Sequence, residues 1–343
     1  MRKLTSAVGI AVIVLGSAAS GQAPRPATSR ALLEKNKDVV ERLFALADKG
    51  DVDQVRSIVS GDYIEHASYQ ADGRDAWLAT IADNVKTTDA GARREKSDII
   101  RMLAEGDHVW VYTRVLAAGT LMARMNMFRL ENGVIAEHWA VQEITNTTRA
   151  NANDQWAVGR GPQNADAQPK RVMKVVSQEQ LERNKDVMRK FFLYSEAQDP
   201  AERMKLLQWA TTGPGGYIQH NANGQDGIEG FAGARGAGRA AGDGRGPAPA
   251  AGQGAGGGGG RGAQANHLLV RAVAEGDYVW CLNIPGFKQG SVQSPERAIV
   301  NQWRIEDNKL AEHWGTYETV QPMRANTNDF FGYGRLQARD LTR

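Results

Sequence analysis

Cysteine is almost missing from this chain, since Cys281 is the only one among its 343 residues. A lone cysteine excludes an internal disulfide. A buried apolar role for this side chain is favoured over that of a reactive thiol, because free cysteine most often behaves as a small hydrophobic residue.

An excess of charge of one sign is also missing. The formal net charge is +3 at pH 7, and removing residues 1–23, which hold Arg2 and Lys3 and no acidic residue, leaves +1. A nearly neutral chain lacks the electrostatic footprint of a protein that binds nucleic acid or anionic membranes. We therefore expect no nucleic-acid partner.

No hydrophobic run is long enough to cross a membrane. The apolar run near the N-terminus spans residues 7–15, whereas a helix needs about 20 residues to cross a bilayer. It follows Arg2 and Lys3 and leads into small residues up to Ala23, a pattern typical of a secretory signal peptide. We expect residues 1–23 to be a signal peptide cleaved near Ala23, and the mature protein to be exported, periplasmic or extracellular.

What the chain does contain is a long internal repeat. Ala-Glu-His-Trp occurs at residues 136–139 and again at 311–314. Three further motifs recur in the same order: Asn-Lys-Asp-Val at 36–39 and 184–187, Tyr-Ile-x-His at 63–66 and 217–220, and Glu-Gly-Asp-x-Val-Trp at 105–110 and 275–280. The offset grows from 148 residues at the first of these to 175 at the last motif, far above the roughly 20 to 50 residues of a solenoid repeat. Each copy is long enough to bury its own core. The repeat therefore predicts two domains of one fold.

The motifs place the first domain at residues 24–161 and the second at 178–343, with a linker at 162–177. The second domain carries a Gly-rich insertion at about 230–265. Such a composition cannot bury enough apolar surface to offset its chain entropy, so we predict a disordered loop.

Each copy begins with helical patterns and continues with strand patterns. The Asn132-Gly133 pair between the last two strands of the first copy favours a tight hairpin. This order predicts an α+β domain with helices on one face of an antiparallel sheet. The predicted helices are 36–49, 51–59 and 74–85, and the predicted strands are 97–104, 109–116, 122–130 and 134–144, with 268–274, 279–284, 297–305 and 310–319 in the second copy.

The order of these motifs resembles that of the SnoaL-like branch of the nuclear-transport-factor-two-like superfamily. The resemblance covers both copies and nearly the whole mature chain. It implies two cone-shaped α+β barrel domains, each with three N-terminal helices packed on a curved antiparallel sheet, whose open mouth holds a small organic ligand. Because family members often form homodimers, it also implies that the two domains form an intrachain pseudo-dimer. Known enzymes of the family include polyketide cyclases, isomerases and dehydratases, and no cofactor is expected.

Four of the six histidines occupy repeated positions, and they are the predicted catalytic residues. Histidine titrates near neutral pH, so a positioned pair can remove a proton beside a carbonyl group and return it elsewhere. In the first copy the pair is His66 and His138, and in the second it is His220 and His313. The predicted ligand-binding residues are Tyr63, Trp110 and Asn126 in the first copy and Tyr217, Trp280 and Asn301 in the second.

The chain departs from the family where the resemblance implies a catalytic aspartate, because Ala140 and Gly315 stand at that position. Two functions therefore stay open. The first is an exported enzyme that uses enolisation chemistry on a small carbonyl compound, in aldol condensation, isomerisation or dehydration. The second is a non-catalytic module that binds a small hydrophobic ligand.

No metal site is expected, because Glu65 is the only carboxylate that accompanies these histidines and the second copy has Gln219 in its place. The acidic residues at 137 and 312 are expected to point away from the neighbouring strand histidines and to pair with Arg129 and Arg304.

Overall fold

The computed structural model describes residues 28–86, 95–145, 147–193, 197, 199–211, 216–228, 267–285, 296–320 and 324–334. The predicted signal peptide and the Gly-rich insertion lie outside the described residues. Within the described ranges, no helix combines the length and the apolar composition needed to span a membrane.

The first domain consists of two helices, a strand, a third helix and four further strands. Ser29 caps the first helix by accepting a hydrogen bond from the Leu32 N–H. Gly50 ends that helix with φ at 70°, a left-handed conformation that glycine adopts without steric cost. The elements are α1 (Arg30–Lys49), α2 (Val52–Ile58), β1 (Val59–Glu65), α3 (Arg74–Asn84), β2 (Glu95–Glu105), β3 (His108–Ala117), β4 (Thr120–Glu131) and β5 (Val134–Ile144).

The sheet of the first domain has the strand order β1-β5-β4-β3-β2. Strands β2 to β5 form the predicted antiparallel meander. Asn132 and Gly133 have φ values of 52° and 80°, which confirms the tight hairpin. However, β1 pairs with β5 in parallel, so the sheet is mixed and the prediction of a purely antiparallel sheet is wrong. The sequence pattern did not predict β1, because Gly61 and Asp62 are poor strand formers.

The second domain repeats this topology. Its sheet has the order β6-β10-β9-β8-β7, and β6 pairs with β10 in parallel. The third helix predicted by the resemblance falls on residues outside the described ranges. The described elements are α4 (Gln178–Leu193), α5 (Pro200–Ala210), β6 (Ile218–Gln219), β7 (His267–Glu275), β8 (Tyr278–Pro285), β9 (Glu296–Glu306) and β10 (Lys309–Val320).

Each sheet is buried on both faces. In the first domain, Val109 and Val111 pack beneath the helices in the core of the first cone. Trp110, which lies between them, belongs to a second core that the two domains share. Alternation of side chains along a strand produces this division. The two sheets therefore pack face to face through the sides that the helices leave open.

Contacts between the domains occur in reciprocal pairs. Lys37 Nζ lies 2.5 Å from Glu275 Oε1 in the second domain. At the equivalent positions, Lys185 of the second domain pairs with Glu105 of the first. Such reciprocity is the pattern of an isologous interface between two identical subunits, and here both halves belong to one chain.

The segments between and after the sheets are also packed. Val172 of the predicted linker lies in the shared core, and Arg171 Nη1 lies 3.1 Å from Glu34 Oε2 on α1. The segment after β10 crosses to the first domain, where Asn326 Nδ2 donates to two backbone carbonyl oxygens at 2.8 Å. Asn151, after β5, makes the equivalent contacts with the second domain at 2.7 Å. The segment that follows the last strand of each domain is thus hydrogen-bonded to the other domain.

Candidate functional site

A line of buried polar side chains crosses the helix-covered face of the first sheet. Glu65, at the end of β1, accepts hydrogen bonds from the Tyr63 hydroxyl at 2.6 Å and from the Ala67 N–H at 2.9 Å. Both of its carboxylate oxygens lie 3.0 Å from His138 Nδ1 on β5. On the other side of the ring, His138 Nε2 lies 3.2 Å from Asn126 Oδ1 on β4. Carboxylate, imidazole and amide are therefore in direct contact.

The directions of these hydrogen bonds locate the ring protons. Thr113 Oγ1 donates to the Arg124 carbonyl oxygen at 3.0 Å and accepts from Asn126 Nδ2 at 3.1 Å. The Asn126 amide consequently turns its oxygen towards His138, so Nε2 carries a proton. Nδ1 is the ring nitrogen that faces both carboxylate oxygens of Glu65. Glu65 and His138 form one hydrogen-bonded pair.

Aromatic rings enclose this pair. The Phe128 ring stacks on the His138 ring with a centroid distance of 4.6 Å. Trp77 of α3 lies 5.8 Å from the His138 ring and 4.7 Å from the Tyr63 ring. Trp77 is half-buried, whereas Glu65 and His138 are buried. Burial, followed by the charge of Glu65, raises the pKa of Tyr63 well above its usual range, so this hydroxyl stays a hydrogen-bond donor.

The equivalent line in the second cone contains no carboxylate in the described residues. Gln219 stands in the place of Glu65, and its Oε1 lies 3.0 Å from His313 Nδ1. His313 Nε2 lies 2.9 Å from the Asn301 side-chain amide. Burial, and to a lesser extent the nearby His220, lowers the pKa of His313 to about 3. The ring is therefore neutral, and its two side-chain neighbours, Gln219 and Asn301, are uncharged as well.

The other two predicted catalytic histidines do not face the cones. His66 Nε2 lies 2.9 Å from Glu137 Oε2, and Nδ1 lies 2.8 Å from the carbonyl oxygen of Asp329, which belongs to the second domain. The His66 ring stacks on Trp139 at 4.6 Å. His220 has the same surroundings, with Glu312, the Asp154 carbonyl oxygen and Trp314 as its neighbours.

The structure thus corrects the prediction that His66 acts with His138, and His220 with His313. Alternation along β1 puts the residue two positions after Tyr63 on the same face as that tyrosine. This residue is Glu65, while His66 is directed to the interface between the domains. The carboxylate in contact with His138 is Glu65, for which the sequence suggested only a metal-ligand role.

The predicted ion pairs of the interface are confirmed. Arg129 Nη2 lies 2.6 Å from Glu137 Oε1, and Arg304 Nη2 lies 2.7 Å from Glu312 Oε1. Burial by itself would raise the pKa of Glu137. The hydrogen bonds from His66, from the Gly334 N–H and from Arg129 outweigh burial and lower that pKa to about 2. These carboxylates are occupied by structural partners.

Four of the six predicted ligand-binding residues belong to the cones. Tyr63 and Asn126 contact the Glu65–His138 pair, and Asn301 contacts His313. Tyr217 packs in the core of the second cone. The remaining two, Trp110 and Trp280, lie in the core between the sheets. Their assignment to the pockets is wrong, because each is flanked along its strand by residues that face the helices.

Two residues in contact with this polar line, Trp77 and Thr113, were not predicted from the sequence. No motif marks either residue, because each acts through a contact with a distant element. Glu65 did carry a signal, since it is the acidic residue inside the repeated Tyr-Ile-x-His motif and becomes Gln219 in the second copy. Within the part of the chain that the structure describes, no three His, Cys, Asp or Glu side chains converge on a metal position.

Comparison with known proteins places the first domain in a family. Residues 40–138 match the model of the SnoaL-like domain. No curated protein matches the chain.

Similar solved structures include an NTF2-like protein of unknown function from Cytophaga hutchinsonii, with 13% identity and a TM-score of 0.28, covering 32% of this chain and 89% of that one. IdmH of Streptomyces antibioticus, a candidate polyketide cyclase, has 19% identity and a TM-score of 0.27, covering 32% and 91%. A candidate SnoaL-like polyketide cyclase from Jannaschia sp. CCS1 has 19% identity and a TM-score of 0.29, covering 34% and 92%.

The chain therefore carries a SnoaL-like domain in its first half, and its second half repeats the motifs and the sheet topology of that domain as a tandem duplication.

Proposed function

We propose that the first domain catalyses proton transfer beside the carbonyl group of a small organic compound inside its cone. The reaction class is enolisation, as used in aldol condensation, isomerisation or dehydration. The observation that carries this proposal is the contact at 3.0 Å between Glu65 and His138 on the cone face. The second domain, with Gln219 at the equivalent position, is a non-catalytic partner.

The Glu65–His138 pair supplies the general base that the family resemblance places at an aspartate, whose position is Ala140 here. Ala140 lies opposite Asn126 in the β4–β5 register, so the cone wall has no carboxylate at that point. The carboxylate comes instead from the neighbouring strand β1, where Glu65 pairs in register with His138. A carboxylate that shares a proton with an imidazole can both accept and return a proton near neutral pH.

In the reaction, the deprotonated pair removes a proton from the carbon beside the substrate carbonyl, and the C–H electrons move into the carbonyl to form an enolate. The enolate then either takes the proton back at another carbon or attacks a second carbonyl carbon. The Tyr63 hydroxyl, which now donates to Glu65, is the group available to stabilise the enolate oxygen. Trp77 and Phe128 supply the apolar walls that keep water away.

The test is incorporation of deuterium at carbon, followed by proton NMR, in a panel of small ketones, β-keto esters and enones incubated with the mature protein in heavy water. Glu65→Gln is the decisive variant because it installs the side chain found in the second copy. It should reduce exchange by about 10²- to 10⁴-fold, the usual contribution of a general base. His313→Gln, which changes the histidine of the second cone, serves as the matched control and should leave exchange unchanged. Wild-type exchange in Glu65→Gln would refute the proposal.

A second candidate function is a non-catalytic module for a small hydrophobic ligand. The burial of the pair favours it, since Glu65 has no exposed surface and His138 is 6% exposed. A ligand that binds without any exchange across the panel, and whose binding quenches the fluorescence of Trp77, would support this function over the first. Trp77→Phe would identify the responsible indole.

We also propose that the contact between the two domains replaces the homodimer interface of single-domain relatives, so that one chain forms a pseudo-dimer. The reciprocal ion pairs of Lys37 and Lys185 support this proposal. The full chain should therefore be monomeric in light scattering at micromolar concentration. A stable dimer of the full chain would contradict it.

Export completes the proposal and is supported by the sequence pattern of residues 1–23. Expression of the full gene product, followed by N-terminal sequencing of the protein in each compartment, tests it. We expect the exported form to begin near residue 24. An uncleaved protein confined to the cytoplasm would exclude export.

A further inference from the structure

Arg101 is a buried cation with one guanidinium nitrogen, Nη1, that has no hydrogen-bonding partner in the described part of the chain. The residue is 3% exposed. Its guanidinium lies over the rings of Trp314, at 4.6 Å, and Tyr278, at 5.2 Å. Aromatic rings attract a cation, but they do not accept the in-plane N–H groups. A guanidinium also cannot relieve its burial by losing its charge.

The nearby carboxylate is fully engaged by other groups. Glu312 and Arg101 are both close enough to Tyr278 for their charges to act on its hydroxyl. Glu312 binds Arg304 through Oε1. Its Oε2 accepts hydrogen bonds from His220 and from the Gly159 N–H. The described residues therefore leave Arg101 without a counter-ion.

Two further unpartnered polar side chains lie beside the same tryptophan. Gln302 is opposite Trp314 in the β9–β10 register, and Thr316 follows two residues later on the same face of β10. Both are fully buried. The Gln302 Nε2 and Oε1 atoms and Thr316 Oγ1 have no partner within the described ranges. Buried polar groups normally have partners. Unsatisfied atoms on Arg101, which lies over Trp314, and on two neighbours of Trp314 in the sheet therefore point to a bound molecule.

The pseudo-symmetric position in the other half of the interface is different. Arg271 lies over Trp139 at 4.2 Å and over Tyr333 at 4.0 Å. Two of its nitrogens are also unpartnered among the described residues, but the Tyr333 hydroxyl is a hydrogen-bonding neighbour. The residues equivalent to Gln302 and Thr316 are Met127 and Val141, both buried in the shared core. The two positions beside Trp139 are therefore apolar, and the combination of an arginine with a glutamine and a threonine occurs only beside Trp314 among the described residues.

We propose that Arg101, Gln302 and Thr316 form a binding site for a small carboxylate anion between the two domains. A planar carboxylate accepts two parallel hydrogen bonds from one guanidinium edge. Its single negative charge balances the single guanidinium. A phosphate group, with a charge of about −1.5 to −2 at neutral pH, would leave excess charge buried.

This site is separate from both cones and independent of their chemistry. Arg101 belongs to the first domain, while Gln302 and Thr316 belong to the second. The bound anion therefore bridges the two domains. Because it binds only when they are packed together, it stabilises the folded chain by linkage.

The experiment is thermal unfolding of the full mature protein in sodium acetate and in sodium chloride at equal ionic strength. Acetate should raise the midpoint temperature in proportion to the logarithm of its concentration. Arg101→Met should weaken acetate binding by about tenfold to a hundredfold, as expected when hydrogen bonds to a charged group are lost. Arg271→Met, the matched control, should keep the acetate effect.

Two further results separate an anion site from a purely packing role. Without acetate, Arg101→Met should be at least as stable as the wild type, because an unpaired buried charge has been removed. Gln302→Met, which installs the residue of the first copy, should weaken the acetate effect by a smaller factor, and it carries the test if Arg101→Met does not fold. Equal stabilisation by acetate and chloride, stabilisation by phosphate instead of acetate, or an acetate effect retained in both variants would overturn the proposal.

Discussion

The two cones of this protein share their topology and differ at the centre. Each places a histidine on its last strand against an asparagine on the preceding one. In the first cone the third partner is Glu65, and in the second it is Gln219. These side chains have nearly the same shape, so the packing persists while the carboxylate is lost. The difference shows that a duplicated fold can keep the same arrangement of side chains in both copies and an ionisable group at its centre in only one.

The histidines and tryptophans of the interface show the opposite behaviour, because they are the same in both halves. His66 and His220 stack on equivalent tryptophans at 4.6 and 4.4 Å. The interface also contacts the first cone directly, since Asn328 Nδ2 of the second domain donates to the Glu65 carbonyl oxygen at 2.8 Å. The second domain thus holds β1, and with it the carboxylate, in position.

The largest effect should come from making the same change in both cones. His138→Gln should abolish deuterium exchange and cost about 3 kcal/mol of unfolding free energy, because Glu65 loses the partner that balances its buried charge. His313→Gln should cost about 1 kcal/mol, since it removes hydrogen bonds between neutral groups. Urea unfolding followed by tryptophan fluorescence measures both. Equal costs would mean that the first pair is uncharged in the folded protein.

The reciprocal ion pairs give the next largest difference. The Lys37 side chain is fully buried, while that of Lys185 is 10% exposed. Lys37→Met should cost about 2 to 3 kcal/mol because it leaves Glu275 buried without a cation. Lys185→Met should cost about 1 kcal/mol, since water screens its partner better. Chemical unfolding of the two variants side by side decides this, and a larger loss in Lys185→Met would contradict the ranking.

The interface histidines should respond equally. Replacing His66 or His220 by Phe preserves the ring stack on tryptophan but removes two hydrogen bonds, at a cost of about 1 to 2 kcal/mol each. Deuterium exchange should be unaffected, because neither ring faces a cone. Unfolding curves and exchange rates of the two variants form the measurement. Loss of exchange in His66→Phe alone would return this residue to the active site.

Two interface carboxylates should make the stability of the protein depend on pH. Burial raises the pKa of Glu143 and of Glu318 to about 7, although each accepts a backbone N–H and Glu318 also has Ser68 and Arg124 nearby. The unfolded chain ionises these groups first, near their ordinary value of 4.5. Stability should therefore be fully present below about pH 4.5 and fall by roughly 3 kcal/mol for each carboxylate as pH rises to 7.

Melting temperatures between pH 5 and 8 test this, with Glu143→Gln and Glu318→Gln expected to flatten the profile. The interface carboxylate Glu137 is an internal reference. Its pKa of about 2 places its own loss of stability below pH 4.5, outside the tested range. An unchanged slope in both glutamine variants would exclude these carboxylates as its origin.

Much of the fold was predictable because its signals are local. The four-strand meander and its Asn132-Gly133 turn were read from periodicity and turn chemistry, and the structure confirms them. The strand β1 was missed, since Gly61 and Asp62 weaken its local pattern. That single omission reversed the assignment of Glu65 and His66, because the face of each residue depends on the strand being recognised.

The sequence by itself determined the duplication, the order of elements and the difference between Glu65 and Gln219 at equivalent positions of the two copies. Only the tertiary structure decided which face each side chain occupies and what lies against it. His66 contacts the backbone of Asp329, 263 residues away, and Arg101 lies over Trp314 in the other domain. Contacts of this kind have no local pattern, because they form only when two complete sheets pack against each other.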